Sequence, residues 1–467
     1  MRLALLLAMP AAVSAGVVNL AAPATASPDA TETAVARHLV VSRDRPDLRL
    51  PVFVRRSGEA VLALDAAAPG TNWAAPGAES AVVSISVDDR YATDVVVFGS
   101  RPIRRQLALG RLSAGPHRLR LHFAGERSAA ASTSVRLDDV RVSTHGDDPV
   151  LRYAPIVYGR NLPDLGGPYQ NAVTDTPLVA WHESGSAATP GHTILTYSVV
   201  WSNEDGGTNS PGLMARWGRT TDIEWVYSLE VDERGNRVAG TDIYQAANHQ
   251  SLHFAGRYED DHPLLETCTS NNNMCDVVDD PMRFFLSVLP TRPADKAREY
   301  LMDVNPWTYP IMAEEMLRED KIEPAAPGTA LTPEVSDQRN YLYAVVKKST
   351  QPANFGPSWV GVALGVRLTN GDTVYLSHHF NPTWSIQRDD PAATTVELPA
   401  GTAAGDIVEV TAHRVVVGVD TGATLHVTAV QRGFMLGADY RPQPSFLSWT
   451  GDVVLDPGST SATLWRR

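Results

Sequence analysis

Cysteine is nearly absent: Cys268 and Cys275 are the only two in 467 residues. One bridge is the most the chain can form. In an oxidising compartment the two are expected to pair and close a small loop. A metal pair is their other use, although C-x6-C is not a zinc spacing. Also missing are a Gly-x-Ser-x-Gly elbow, a phosphate loop, a dinucleotide fingerprint and a zincin motif. Serine nucleophiles, nucleotide use and classical zinc proteolysis therefore lose their sequence basis. A basic surface is lacking too. The formal net charge is −13, from 40 Lys and Arg against 53 Asp and Glu. That excludes a nucleic-acid partner, because phosphate binding needs cationic surface. Past the N-terminus no segment reaches 18 uninterrupted apolar residues, so no transmembrane helix is expected. There is no internal repeat and no long low-complexity tract.

What the chain has in quantity is turn residues. Its 34 Gly and 33 Pro fall between short apolar runs, as in a turn-rich β protein. Apolar content of 43% and charged content of 20% argue against extensive disorder. Residues 1–26 have the form of a signal peptide: Arg2, an apolar stretch from Leu3 to Val13, and cleavage after Ala24-Thr25-Ala26. A secreted, extracellular protein is expected. Residues 27–37 look like a flexible leader. Eight strands are expected over 38–145: Leu39–Ser42, Pro51–Arg55, Ala60–Leu64, Ala81–Val87, Asp94–Phe98, Arg105–Leu109, His117–Phe123 and Ser134–Val142. That spacing implies a β-sandwich. After a polar linker, Thr144–Pro149, the main domain runs over 150–467. It is mostly strand, with two short helices at Pro293–Asp303 and Ile311–Asp320 that form an insertion over about 293–320. The Pro-rich stretch from Ile322 to Asp337 reads as an excursion within one layered unit. The fold class is thus all-β: two β-sandwich or jelly-roll-like domains, the second with a helical insertion.

Chemistry concentrates near one strand. From Asp222 to Val231 the residues alternate, with Ile223, Trp225, Tyr227, Leu229 and Val231 on one face. Asp222 and Glu224 then share the other face, about 7 Å apart. Two hard carboxylates suit Ca2+ or Mg2+. They also suit an acid–base pair for glycosidic cleavage, if a third group tunes one of them. A solvated acidic face is the bland alternative. His249, His253 and His262 lie close by in sequence and supply ligand or base candidates. A loop after an apolar strand offers Trp201, Asn203, Glu204 and Asp205, and His182 follows Trp181 on the preceding strand. Such a pocket would suit sugars, which stack on rings and bond to amides. Asn271-Asn272-Asn273 sits inside the expected disulfide loop. His378-His379-Phe380-Asn381-Pro382-Thr383-Trp384 is a weaker candidate of the same kind.

Two resemblances add to this reading. Leu112–Leu121 and Val135–Val142 resemble jelly-roll carbohydrate-binding modules. Gly218-Arg219-Thr220-Thr221-Asp222-Ile223-Glu224 resembles the Gly-His-Arg-His-Asp-Trp-Glu heptapeptide of the necrosis- and ethylene-inducing-like proteins. Its context, with Tyr153-Ala154-Pro155-Ile156-Val157 before it and His262-Pro263 after it, is similar to the vacuolar-sorting-related β-sandwiches. The resemblance implies a β-sandwich. It also implies a divalent cation held by Asp222, Glu224 and His262 in a cavity that engages glycolipid sugars. Arg219 and Thr221 stand where that family has histidines, and Ile223 where it has tryptophan. Only Gly218, Asp222 and Glu224 carry over, and cytolytic activity does not follow. The expected function is engagement of a polysaccharide or glycoconjugate at an acidic site, with a divalent cation as an optional helper. The rival is a secreted polysaccharide hydrolase or lyase that uses Asp222 or Glu224 with a histidine.

Overall fold

The computed structural model describes residues 30–160, 162, 169–204, 209–324 and 334–467. The expected signal peptide lies outside the described residues. The first unit contains β1 (Thr31–Ser42), β2 (Asp47–Val54), β3 (Gly58–Ala67), β4 (Ala81–Val87), β5 (Arg90–Val97), β6 (Ile103–Leu112), β7 (Gly115–Phe123) and β8 (Ser134–Thr144). They form two four-stranded sheets, β1-β8-β3-β6 and β2-β7-β4-β5. Each of the eight expected strands is present. Residues 31–37, expected as a flexible leader, are instead the first half of β1, with Thr31 opposite Thr144 and Ala36 opposite Val140. Their small, polar composition hid a strand whose stability comes from pairing with the distant β8.

The two sheets enclose Val41, Leu62, Val83, Ile85, Leu121 and Val140. Beneath them the second sheet is covered on its outer face as well. Val82, Val96 and Phe98 pack with Met282, Phe284 and Tyr309 in a second core. A strand buried on both faces reads as a continuous apolar run, which is how β4 looks in sequence. The first core also runs on into Leu151, Ile156, Tyr197 and Leu265 beyond the linker. The Ala108 amide donates to Phe285 at 2.7 Å, and Arg90 bonds Glu259 at 3.3 Å. The first sandwich is therefore cemented to the next unit. The polar linker ends in a short helix α1 (Pro149–Arg152), capped where Asp148 accepts the Val150 amide at 3.0 Å.

The middle unit holds β9 (Ile156–Tyr158), β10 (Pro177–Ser186), β11 (Thr193–Trp201), helix α2 (Ser210–Trp217), β12 (Asp222–Val231), β13 (Ile243–Ala246) and β14 (Gln250–His253). It continues with β15 (Tyr258–Glu259), β16 (His262–Thr267), β17 (Met274–Cys275) and β18 (Arg283–Phe284). One sheet is β10-β11-β12-β13-β14; the other is β15-β16-β9-β18, with β17 on β16. Helices α3 (Tyr300–Asp303) and α4 (Thr308–Arg318) match the expected insertion, displaced by a few residues. Helix α2 was not legible, because Pro211 and Gly212 break the helical pattern at its start.

The expected main domain is layered twice over. After a small parallel pair, β19 (Ile322–Glu323) and β20 (Val335–Ser336), a further sandwich follows. It comprises β21 (Tyr341–Gln351), β22 (Trp359–Leu368), β23 (Val374–Leu376), β24 (Ala392–Glu397), β25 (Ile407–Val417), β26 (Thr424–Phe434), β27 (Leu447–Leu455) and β28 (Ser461–Arg466). Its sheets are β24-β21-β26-β27 and β23-β22-β25-β28, closed over a core of its own that includes Leu342, Val362, Ile386 and Leu425. The Pro-rich stretch read as an excursion therefore precedes a sandwich with its own core, while Val335, Tyr341, Tyr343 and Phe434 still join Tyr309 and Met312 in the second core. Among the described residues no helix is long and apolar enough to cross a membrane.

Candidate functional sites

The strand that carries the paired acids begins at a helix end. Helix α2 stops at Gly218, whose φ of +67° is a left-handed cap, with its amide bonded to the Met214 carbonyl at 2.9 Å. A Cβ there would meet the Ala393 Cβ and the Thr394 nitrogen at 3.1 Å. Thr394 and Thr395 of β24 donate to the Ala215 and Met214 carbonyls at 2.6 and 2.9 Å, so the last turn of α2 is held by the C-terminal sandwich. The chain then enters β12, with Asp222 opposite Trp201. Past Trp225 the alternation slips, because Trp225 and Val226 together oppose Ser198 in a β-bulge. Ile223 consequently belongs to the second core, and Tyr227 and Leu229 to the first. The expected single apolar face from Ile223 to Val231 is corrected accordingly.

Arg219, at one of the positions where the resembled family has histidine, is a buried counter-ion. Its guanidinium donates to Glu204 at 2.9 Å, to Glu299 at 3.1 Å and to the Thr221 carbonyl. Asp222 lies beside it, 1% exposed. Its Oδ2 accepts from the Asn272 amide at 3.0 Å, and its Oδ1 has no hydrogen-bond partner among the described residues. Burial, followed by the nearby Glu204 and Glu224 carboxylates, pushes the Asp222 carboxyl well above the usual range. Glu224 accepts from the Gln245 amide at 2.5 Å, with the His249 ring 3.7 Å away. His249 also bonds Gln245 at 2.7 Å and Asn271 at 3.1 Å. The Cys268–Cys275 disulfide closes the loop that presents Asn271 and Asn272. Asn203 donates to Glu319 at 2.9 Å, and its carbonyl accepts from Asn272 at 2.9 Å.

Sequence reasoning thus found one connected network: Asn203, Glu204, Asp222, Glu224, His249 and the Asn271–Asn272 pair. Other expectations separate from it. His262 is 2% exposed and bonds the Ala154 carbonyl at 3.0 Å, 3.6 Å from Glu59 and edge-on to Phe285, at the junction with the first sandwich. Among the described residues it shares no hydrogen-bond partner with Asp222 or Glu224, so the cation and catalytic set Asp222, Glu224, His262 does not assemble. Trp201 is a core residue at 1% exposure. His182 bonds the Val288 carbonyl at 2.7 Å, and His253 is exposed on β14, opposite Ile243. Asp205 lies outside the described residues. His378, His379 and Trp384 are buried in the C-terminal sandwich rather than arrayed on a surface. Glu204 bonds Arg219, Asp222 is held toward its neutral form, and among the described residues no group of three or more His, Cys, Asp or Glu is placed to hold an ion.

The state of Asp222 has a measurable consequence. A carboxyl whose folded pKa is raised favours folding below the unfolded value of 3.8 and opposes it progressively as pH climbs through the folded value. Asp222→Asn is expected to raise the melting temperature at pH 8 by about 2–4 °C, with the gain shrinking toward pH 4. Paired thermal melts at the two pH values check this.

A concave surface lies elsewhere. A cleft of about 550 Å3 opens where three parts of the chain meet. The first sandwich contributes Asn72, Trp73 and Phe98 to Arg101. Trp307, Pro310 and Glu314 come from the start of α4, and Asp439 to Arg441 from the loop between β26 and β27. Phe98 stacks on the half-buried Trp307 at 6.1 Å and meets Trp73 edge-on at 4.9 Å. The Arg105 guanidinium lies 5.0 Å from the Trp307 ring centre. Tyr440 is steadied by Arg339 at 4.8 Å and by its bond to Asp337 at 3.2 Å. Arg101 and Asp439 bridge the rim at 3.1 Å. Burial raises the Glu314 carboxyl, with Arg101 opposing. For Asp439 burial also pushes upward, but the Arg441 amide and the Arg101 guanidinium outweigh it and hold the carboxyl low. Sequence reasoning missed this cleft. Its only local signals were Trp307 and Tyr440 beside turns.

No family model matches the chain, and no curated protein matches it. Among solved structures, a ruminal GH26 endo-β-1,4-mannanase matches at 11% identity and a TM-score of 0.17, over 24% of this chain and 20% of that one. The CBM36-1 domain of a multidomain xylanase from the hindgut metagenome of Trinervitermes trinervoides matches at 12% identity and 0.19, over 25% of this chain and 98% of the domain. A family 35 carbohydrate binding module from Clostridium thermocellum matches at 12% and 0.17, over 26% of this chain and 100% of the module. These likenesses concern about a quarter of the chain, which covers one fifth of the mannanase's length.

Proposed function

We propose that this is an extracellular glycan-engaging protein whose saccharide sits in the cleft between Trp307 and Tyr440. One observation carries the reading: half-buried aromatic rings and hydrogen-bonding side chains line the same open hollow. Apolar sugar faces stack on such rings, and hydroxyls bond to groups such as Asn72, Ser100, Glu314 and Asp439. The burial of Arg219 and Asp222 makes the Gly218–Glu224 heptapeptide a support for the fold rather than the contact surface. The disulfide fits an oxidising, extracellular setting.

In titrations against a polysaccharide panel, Trp307→Ala is expected to weaken binding of the preferred saccharide about tenfold or more. Asn72→Ala, at an exposed position, should weaken it with the fold intact. Glu224→Ala should leave it unchanged. Loss on Glu224→Ala with no effect from the cleft variants would return the site to the acidic network. Millimolar Ca2+ or Mg2+ is expected to leave the melting temperature unchanged. A rise of several degrees would make Glu204, Asp222 and Glu224 cation ligands after all.

A second reading has its own observation. Glu314 and Asp439 face one cleft with carboxyls displaced in opposite directions, the pattern of an acid paired with a base or nucleophile. A hydrolase would release new reducing ends from the bound polysaccharide, and Glu314→Gln would abolish them.

A further inference from the structure

A second cavity, of about 260 Å3, lies at the end of α2 and is lined by Trp217, Arg292, Arg298, Glu299, Arg388 and Asp390. Its chemistry departs from that of a chain carrying a net charge of −13. The Trp217 ring has four guanidiniums around it: Arg388 at 4.0 Å, Arg216 and Arg298 at 5.6 Å, and Arg219 at 5.7 Å. Against these four stand Glu204 and Glu299, which both bond Arg219, and Asp390 in the cavity lining. Arg292 is matched by Glu183. Arg298 and Arg388 bond only main-chain carbonyls among the described residues. Arg298 donates to Ile223 at 2.8 Å, and Arg388 donates to Arg216 at 2.8 Å and Ala393 at 3.3 Å. A guanidinium has five N–H donors, so each keeps donors to spare toward the cavity. Burial, together with the crowding of Arg298, Arg219 and Arg216, pulls the Arg388 guanidinium down to about 10, with Glu299 opposing. Confined positive charge of this kind is relieved by an anion, and planar forks match oxyanions in pairs. The cavity is smaller than a typical site for a drug-sized ligand, which suits one charged group on one ring.

We propose that the Trp217–Arg298–Arg388 cavity is an oxyanion site that takes the carboxylate or sulfate of an acidic sugar, with Trp217 as the ring's platform. It extends the saccharide reading to a separate place and a charged ligand class. The Arg298 and Arg388 side chains grip the anion, and Glu299 holds Arg219 back from it.

The test is calorimetric titration of the full chain with five probes: an oligogalacturonate, a sulfated heparin-derived oligosaccharide, a neutral manno-oligosaccharide, a neutral xylo-oligosaccharide, and inorganic sulfate. At least one acidic oligosaccharide is expected to bind about tenfold or more tighter than the neutral ones, and its affinity should fall as salt rises from about 0.05 to about 0.5 M. Binding of the oligogalacturonate shows that a carboxylate suffices, and binding of the heparin-derived oligosaccharide alone, which carries both groups, shows that sulfate is required. Arg298→Gln should cost the acidic ligand about tenfold while the melting temperature holds. Arg388→Gln provides the second variant. Trp307→Ala should leave the acidic preference intact, which keeps failure of this site distinct from failure of the cleft. The proposal is overturned if acidic and neutral sugars bind alike, if both arginine variants bind like the parent, or if inorganic sulfate binds as tightly as any saccharide.

Discussion

Replacing Arg219 by Met is expected to cost about 3–5 kcal/mol of stability, among the largest effects of any single substitution in the middle unit. The side chain is 2% exposed and neutralises Glu204 and Glu299, which are themselves 13% and 4% exposed at the side chain. Removing it strands the Glu204 and Glu299 carboxylates beside the buried Asp222 carboxyl, in a setting with little water to screen them. Breaking a buried network by deleting one partner is far more damaging than deleting both. The double variant Arg219→Met with Glu299→Leu is therefore expected to lose less than the sum of the two single variants. Chemical denaturation followed by Trp fluorescence measures both quantities. An Arg219→Met midpoint equal to the parent's would show that these charges are solvated, contrary to the network described.

The second large effect is acid lability of the C-terminal sandwich. Burial pulls His378 down to about 4 from 6.5, and burial with the neighbouring His378 does the same to His379. The folded chain keeps both rings neutral, while the unfolded chain protonates them below 6.5. Stability is therefore fully present above pH 6.5 and drains away as pH falls toward 4. Two groups displaced this far amount to about 3–6 kcal/mol, after allowance for the partial burial of His378. Neither ring nitrogen of His379 has a hydrogen-bond partner among the described residues; the buried Glu397 carboxylate lies 3.5 Å from Nδ1 and opposes the shift, and the ring packs edge-on to Trp384 at 6.0 Å. His379→Phe should flatten the acid slope, seen as a smaller drop in melting temperature between pH 7 and pH 4.5. A slope unchanged by that substitution would place the acid sensitivity elsewhere.

The parts of this molecule that were legible in sequence are those set by local periodicity. All eight strands of the first sandwich followed from alternation and turn residues. So did the acid-bearing β12, up to its bulge, which no local pattern announces. Asp222, Glu224, Glu204, Asn203 and His249 were brought together by adjacent strands and one short disulfide loop, so sequence proximity was a fair guide. It failed for His262, because the start of β16 faces the first sandwich across a packed junction. It failed for Trp201, whose size suits a core as well as a platform. Residues 31–37 deceived through composition, since a strand can be small and polar when its partner supplies the pairing. The cleft was invisible because its walls come from loops near residues 72, 100 and 440 and from the start of a helix. No property of any one of them implies the others.

The position of the saccharide decides the functional reading. A crystal structure of the complex with the tightest-binding oligosaccharide measures it directly. Sugar density is expected between Trp307 and Tyr440, in contact with Asn72 or Glu314. Density over Glu224 and His249, with the Trp307 cleft filled only by water, would contradict it.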